Sequence, residues 1–211
     1  MSAVVFDVKN EISEQVVSQC VKVLNNGGIV VFPTETVYGI GVNAFDEKAL
    51  DLLYQKKQRP YDKPLLMHIT GLEMAEAIAV LDDKTRELIK RYTPGPLTLV
   101  VKRKDCLPEI AVSGGETVGL RFPSNKEFIA ISKAFGGPIA ATSANISGSK
   151  SAVSSAELSP VLDIADVILD GGFCEIGVES TIVSLVGERP KILRQGAIPR
   201  EMVEEVLGIC D

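Results

Sequence analysis

A chain of 211 residues that is 45% hydrophobic is long enough to bury a substantial core, and its length suits one large domain better than two. With 28 acidic residues against 22 basic ones the formal charge is −6, which argues against a general polyanion-binding protein while leaving room for a local basic patch. The four cysteines, Cys20, Cys106, Cys174 and Cys210, stand far apart with no CxxC pair and no nearby histidine, so they read as buried free thiols in a reduced cytoplasmic setting. MSAVVFDVKN lacks the basic segment and long apolar stretch of a signal peptide. No apolar run approaches the ~18 residues of a membrane span, so no membrane partner is expected.

In chain order, a strand is predicted at Val4 to Val8, then a helix from Ser13 to Asn26, where Val16, Cys20 and Leu24 recur one turn apart beside Val17 and Val21. Gly27 and Gly28 stop it. The β-branched run Ile29 to Phe32 suits a buried strand. FPTETVYGIG, Phe32 to Gly41, leaves the end of that strand as a loop carrying more hydroxyls than a turn requires. Asp46 caps a helix that buries Ala49, Leu50, Leu53 and Tyr54. Leu65 to Ile69 is the next strand, followed by helical segments at Glu73 to Val80 and Asp83 to Tyr92. TPGP, Thr93 to Pro96, breaks the pattern before a strand at Leu97 to Lys102.

A glycine-rich loop at Ser113 to Gly115 leads to a strand at Val118 to Arg121 and a helix with a capping box, Ser124 reaching forward and Glu127 reaching back. Pro138 to Ala141 is a strand entering TSANISGSKS, and Asp166 to Leu169, Ser180 to Leu185 and Lys191 to Leu193 supply further strands before a last helix at Pro199 to Leu207. This alternation favours an α/β sheet with helices packed on it, and the closely spaced late strands make part of that sheet antiparallel or mixed. No repeat, linker or composition shift marks a second domain.

The common catalytic signatures are absent. There is no GxxxxGK[ST], no GxGxxG after the first βα turn, no GxSxG and no HExxH, and His68 is the only histidine. His68 lies in the apolar run LLMHI, where a core or rim histidine is the ordinary reading. Chemistry on this chain is therefore expected to depend on positioning and charge stabilisation rather than on an activated serine.

Four constellations remain. KKQRPYDKPL, Lys56 to Leu65, sets four cations against one carboxylate on a loop stiffened by Pro60 and Pro64, which suits a polyphosphate; a solvated helix end is the plain alternative. TSANISG brings Thr142, Ser143, Asn145 and Ser147 to a strand end, where an α/β sheet places binding loops; an ordinary Ser/Asn turn has the same composition. GVEST, Gly177 to Thr181, adds Ser180 and Thr181 beside a strand, with Glu179 either a surface residue or a magnesium-linked carboxylate. Arg121 in VGLRFP and Arg194 in KILRQG stand in apolar strand contexts, and a desolvated arginine requires an anion: a carboxylate at Arg121, a phosphate at Arg194. Together these suit a nucleotide and a small polar molecule.

The order of motifs, PTETVYGIG, KKQRP with KPL, HI, PGPLT, GLRFP, TSANISG, GVESTIVSL and ILRQGAI, resembles the YrdC-like family in its threonylcarbamoyl-AMP synthase branch, from about Val16 to Ile198. The resemblance implies a twisted, mostly mixed α/β sheet with a large concave cavity. It implies an enzyme joining L-threonine, bicarbonate and ATP into threonylcarbamoyl-AMP with release of pyrophosphate, for a downstream transferase complex that modifies tRNA at position 37. By the same resemblance Thr36, His68, Arg121 and Ser180 surround the threonine, while Lys56, Arg59, Lys63, Thr117, Ser143, Asn145 and Arg194 surround the nucleotide, with Thr34 and Thr142 as neighbours. Mg2+ is expected with the ATP, and no dedicated base is demanded. Glu35 receives no role.

The resemblance is to the short form, a single domain over 1–211 without an additional C-terminal domain. Two alternatives stand beside the enzyme. One is a module of the same fold that contacts tRNA or structured RNA, or serves ribosome maturation, without this activity; the other is a paralogue with a different substrate.

Overall fold

The computed structural model describes residues 3–211. The first half of the chain supplies β1 (Val4–Asp7), α1 (Glu14–Asn25), β2 (Val30–Phe32), β3 (Gly39–Asn43), α2 (Glu47–Lys57), β4 (Leu66–His68), α3 (Leu72–Ile78), α4 (Asp83–Tyr92) and β5 (Leu97–Lys102). The second half supplies β6 (Thr117–Arg121), α5 (Lys126–Phe135), β7 (Ile139–Ser143), β8 (Val167–Asp170), β9 (Thr181–Ser184), β10 (Lys191–Arg194) and α6 (Arg200–Leu207). Local chemistry sets several boundaries. Ser13, Asp46 and Asp82 each accept a hydrogen bond from an amide in the first turn of α1, α2 and α4, which satisfies donors that have no partner inside the helix.

Three expectations need correction. The capping box at Ser124 and Glu127 is not formed: Asn125 caps α5, its Oδ1 accepting from the Phe128 amide at 2.9 Å, and the Ser124 amide is committed elsewhere. Of the four free thiols only Cys20 and Cys210 are buried, whereas Cys106 is exposed. Thirdly, the stretch expected to remain loop as far as Gly41 turns back into a strand, β3. Its glycines are there for packing: a Cβ on Gly39 would lie 2.5 Å from the Phe32 ring, and one on Gly41 would lie 2.7 Å from Ile139 and 2.8 Å from Ala141.

The ten strands found among the described residues form one mixed sheet in the order β1-β8-β2-β3-β7-β4-β6-β5-β9-β10. Parallel pairs (β1 with β8, β2 with β8, β4 with β6, β5 with β9) are interleaved with antiparallel ones. Successive residues of a strand point to opposite faces, and the core divides accordingly. Val31, Ile40, Met67, Leu99 and Leu120 join a larger apolar cluster on one face, while Val30, Phe32, Ile139 and Ala141 join a smaller one with Cys20 and Leu24 of α1 and Phe128 and Ile131 of α5 on the other. Among the described residues no helix is long and apolar enough to cross a membrane.

Register then decides which polar side chains meet. Ile139 pairs with His68, His68 with Arg121, Arg121 with Thr98, Thr98 with Ile182, and Ile182 with Arg194. Paired residues share a face, so one row running across six strands carries His68 and Arg121 as neighbours and Arg194 three strands beyond Arg121.

Candidate functional site

A cleft of about 350 Å3 opens over this row, walled by the loop after β2 and by the end of β7. Thr34 and Thr36 form its hydroxyl wall, and their proton directions can be worked out. Thr34 Oγ1 lies 2.6 Å from the Val37 carbonyl, which cannot donate, so the Thr34 proton is spent there. The 2.9 Å contact between the two hydroxyls must then use the Thr36 proton. Thr36 Oγ1 is left as an acceptor only, facing a cleft where it meets donors.

Beside it stands Arg121, 2% exposed, whose Nη2 is paired with the carboxylate of Glu35 and lies 3.4 Å from Thr36 Oγ1. Glu35 is itself 4% exposed, and its second oxygen accepts from the Ser124 amide at 3.0 Å. Arg121 Nη1 is buried without a partner among the described residues, although the side chain lines the cleft. A guanidinium held on one side with a free nitrogen on the other is built to receive an anion. Ser180 completes this end, its hydroxyl 2.8 Å from that of Thr98.

His68 packs edge-on against Phe32 and Phe128 and approaches the Leu66 carbonyl through Nδ1 at 3.3 Å, which makes Nδ1 the protonated nitrogen and leaves Nε2 as an acceptor. Burial, reinforced by the Arg121 charge, pushes its pKa down to about 3. The folded chain therefore keeps His68 neutral where the unfolded chain protonates it, and stability is full above about pH 6.5 and falls as the pH drops below that value. Between pH 6.5 and 5 the expected loss is about 2 kcal/mol. As His68 is the sole histidine, a His68→Gln variant should flatten this part of the curve in urea unfolding followed against pH.

At the other end of the cleft Arg59 is braced by two carbonyls, Nε donating to Lys63 at 3.0 Å and Nη2 to Pro64 at 2.8 Å, which aims Nη1 at Thr142 Oγ1, 3.4 Å away. Arg194 donates twice to the Ser180 carbonyl and pairs with Glu179, whose other oxygen accepts from Ser151 Oγ at 2.6 Å. The 143–149 loop at the end of β7 is fixed by Lys57, which is 1% exposed. Its ammonium donates to the carbonyls of Ser143 (2.5 Å) and Asn145 (2.7 Å) and to Asn145 Oδ1 (3.0 Å). Burial, with the nearby Arg59 charge, pulls its pKa down to about 7.

The cleft thus gathers Thr34, Thr36, His68, Arg121 and Ser180, with Arg59, Thr142 and Ser143 on the β7 side of them and Arg194, bonded to Ser180, on the β10 side. Asn145 lies just below its surface as the partner of Lys57. Three residues expected around the nucleotide lie outside it. Lys56 reaches away to the Ile164 carbonyl, Lys63 is exposed and contributes only its carbonyl, and Thr117 begins β6 opposite Lys102. Glu35 and Thr98 were given no part by the sequence, and Lys57 only a share in the four cations expected around a polyphosphate. Lys57 did carry a signal, since it stands four residues after Leu53 and seven after Leu50 on the buried stripe of α2.

Comparison with known proteins adds the following. The family model Sua5/YciO/YrdC, described as "Telomere recombination", matches residues 22–196. A threonylcarbamoyl-AMP synthase of Pyrococcus abyssi is 38% identical over 97% of this chain and 61% of its own length. One of Bacillus subtilis is 39% identical over 96% of this chain and 60% of its own. The chain therefore spans about three fifths of these relatives. The crystal structure of P. abyssi Sua5 complexed with L-threonine superposes with a TM-score of 0.95 at 38% identity, over 98% of this chain and 61% of that one.

Proposed function

We propose, from the premise that this chain belongs to the Sua5/YciO/YrdC family, that it is a threonylcarbamoyl-AMP synthase. It joins L-threonine, bicarbonate and ATP and releases pyrophosphate. The observation that carries this reading is a single cleft with two differently built kinds of anion site. Arg121, with one buried nitrogen free beside the acceptor Thr36, suits an amino acid's carboxylate and donor groups; Arg59 and Arg194 suit phosphates.

The threonine ammonium gives up a proton to water, the amine so formed takes up the carbon of bicarbonate as water leaves, and the resulting carbamate oxygen attacks the α-phosphorus as pyrophosphate departs. Arg121, Thr36 and Ser180 hold the threonine so that its carbamate faces the nucleotide. Arg59 and Arg194 stabilise the charge that builds on the phosphates, and the walls of the cleft limit the water that would decompose the carbamate. Neutral His68 offers an acceptor and no charge. Among the described residues no three His, Cys, Asp or Glu side chains gather as a metal cage. Glu179, the carboxylate that lines the cleft, would help to hold a Mg2+ brought with the triphosphate, and the ion would neutralise phosphate charge.

A downstream transferase complex acting on tRNA position 37 is the consumer in this reading, and a cytoplasmic setting goes with four free cysteines. The test is pyrophosphate release from ATP, which should require both threonine and bicarbonate. ATP breakdown indifferent to threonine refutes the proposal, and salt-dependent RNA binding without this chemistry would favour the RNA-contacting module instead.

A further inference from the structure

We propose that Glu35 turns the Arg121 site of the cleft from an anion site into a zwitterion site, which admits an amino acid and leaves phosphate groups to Arg59 and Arg194. The inference rests on the threonine reading above and names the residue that sorts the two substrates.

A buried guanidinium by itself takes up any anion, and a phosphate dianion would outcompete a carboxylate for it. Here the charge of Arg121 is already matched by Glu35 in a pair with side chains 2% and 4% exposed. A phosphate brought to the free Nη1 meets the Glu35 carboxylate at close range and leaves an uncompensated negative charge out of water. An amino acid brings no such excess. Its carboxylate takes Nη1, and its ammonium finds Thr36 Oγ1, which has only acceptor capacity left.

The second arginine–glutamate pair of the cleft shows what the burial decides. Arg194 and Glu179 are each 38% exposed, so water can cover Glu179 when a phosphate displaces it from Arg194. Glu35 has no such exit: its two oxygens are held by Arg121 and the Ser124 amide, and its carbonyl accepts from the Ile176 amide at 2.7 Å. One pair can exchange partners with a phosphate, and the other excludes it.

Calorimetric titration of the full chain tests this. In the wild type, inorganic phosphate should leave the apparent Kd of L-threonine unchanged. 3-Hydroxybutyrate, with carboxylate and hydroxyl but no ammonium, should bind at least about tenfold more weakly than the zwitterion L-2-aminobutyrate. In Glu35→Gln, which keeps the shape and removes the charge, phosphate should compete and raise the apparent threonine Kd by about tenfold at a concentration without effect on the wild type. Glu35→Asp, which restores the charge, should exclude phosphate again. A role for Glu35 confined to holding the fold would weaken threonine binding without admitting phosphate, and that result overturns the proposal. So does a wild type that binds 3-hydroxybutyrate as tightly as L-2-aminobutyrate, a comparison that stands even if the Glu35→Gln chain fails to fold. A wild type that binds no L-threonine defeats the function proposed above together with this inference, whereas the other adverse results defeat this inference alone.

Discussion

Replacing Arg121 by methionine is expected to lower the unfolding free energy by about 3–5 kcal/mol, because Glu35 is left charged and unpaired in the interior. The same change should weaken L-threonine binding about 10- to 100-fold, the worth of a charge-assisted hydrogen bond to a carboxylate. The two losses have different causes and can be separated. Removing both charges, as Arg121→Met with Glu35→Gln, relieves the stranded carboxylate, so most of the stability should return. Threonine binding should not return, since nothing is left to hold the carboxylate. Urea unfolding and calorimetry on the two variants read the two effects independently. A double variant as unstable as the single one would mean that the pair is not the unit described.

Replacing Lys57 by methionine should cost about 3 kcal/mol or more, since the Ser143 and Asn145 carbonyls and Asn145 Oδ1 lose their common donor in a place water does not reach. The backbone bond from the Ser147 amide to the Lys57 carbonyl, 3.2 Å long, survives the change, so what the 143–149 loop loses is its side-chain anchor. ATP affinity should therefore fall while threonine affinity is largely kept. The neighbouring change Lys56→Met should stay within about 0.5 kcal/mol, because Lys56 makes one 3.3 Å contact with the Ile164 carbonyl away from the cleft. The proton count matters as well: three acceptors need an ammonium, and a neutral amine has two N–H groups to give. The burden of burying that ammonium is fully present below about pH 7 and lifts as the pH rises from there towards the ordinary lysine value. Stability should accordingly rise with pH across that interval even as the loop loses one of its three bonds.

Elements whose cause is local could be read from the sequence. Asp46 caps α2 through amides two and three residues on, and the stripe Ala49, Leu50, Leu53, Tyr54 places that helix. The β-branched runs gave β2 and β5. β3 was hidden because glycine at two of its five positions reads as loop, and the reason for those glycines lies in Phe32, Ile139 and Ala141 on other strands. The choice between Lys56 and Lys57 turned on one step of helical phase, which composition does not register and periodicity does.

The site shows the same division. The arginines and hydroxyl loops stood out as isolated signals in apolar surroundings, and the sheet register brings most of them into one cleft. The pairing of Arg121 with Glu35 spans 86 residues and follows from the order of strands, which no local pattern encodes. Thus Glu35 remained without a role until β2, β6 and the start of α5 were seen together.

The central claim is that one cleft assembles threonine, the carbon of bicarbonate and the AMP of ATP into a single molecule. Incubation of the chain with L-threonine, ATP and 13C-bicarbonate, followed by mass spectrometry of the quenched mixture, tests it directly. The predicted result is a threonylcarbamoyl-AMP ion that carries the label and is strongly reduced in Arg121→Met at the same threonine concentration. An adenylated threonine without the labelled carbon, or AMP and pyrophosphate alone whether or not threonine is present, would contradict it.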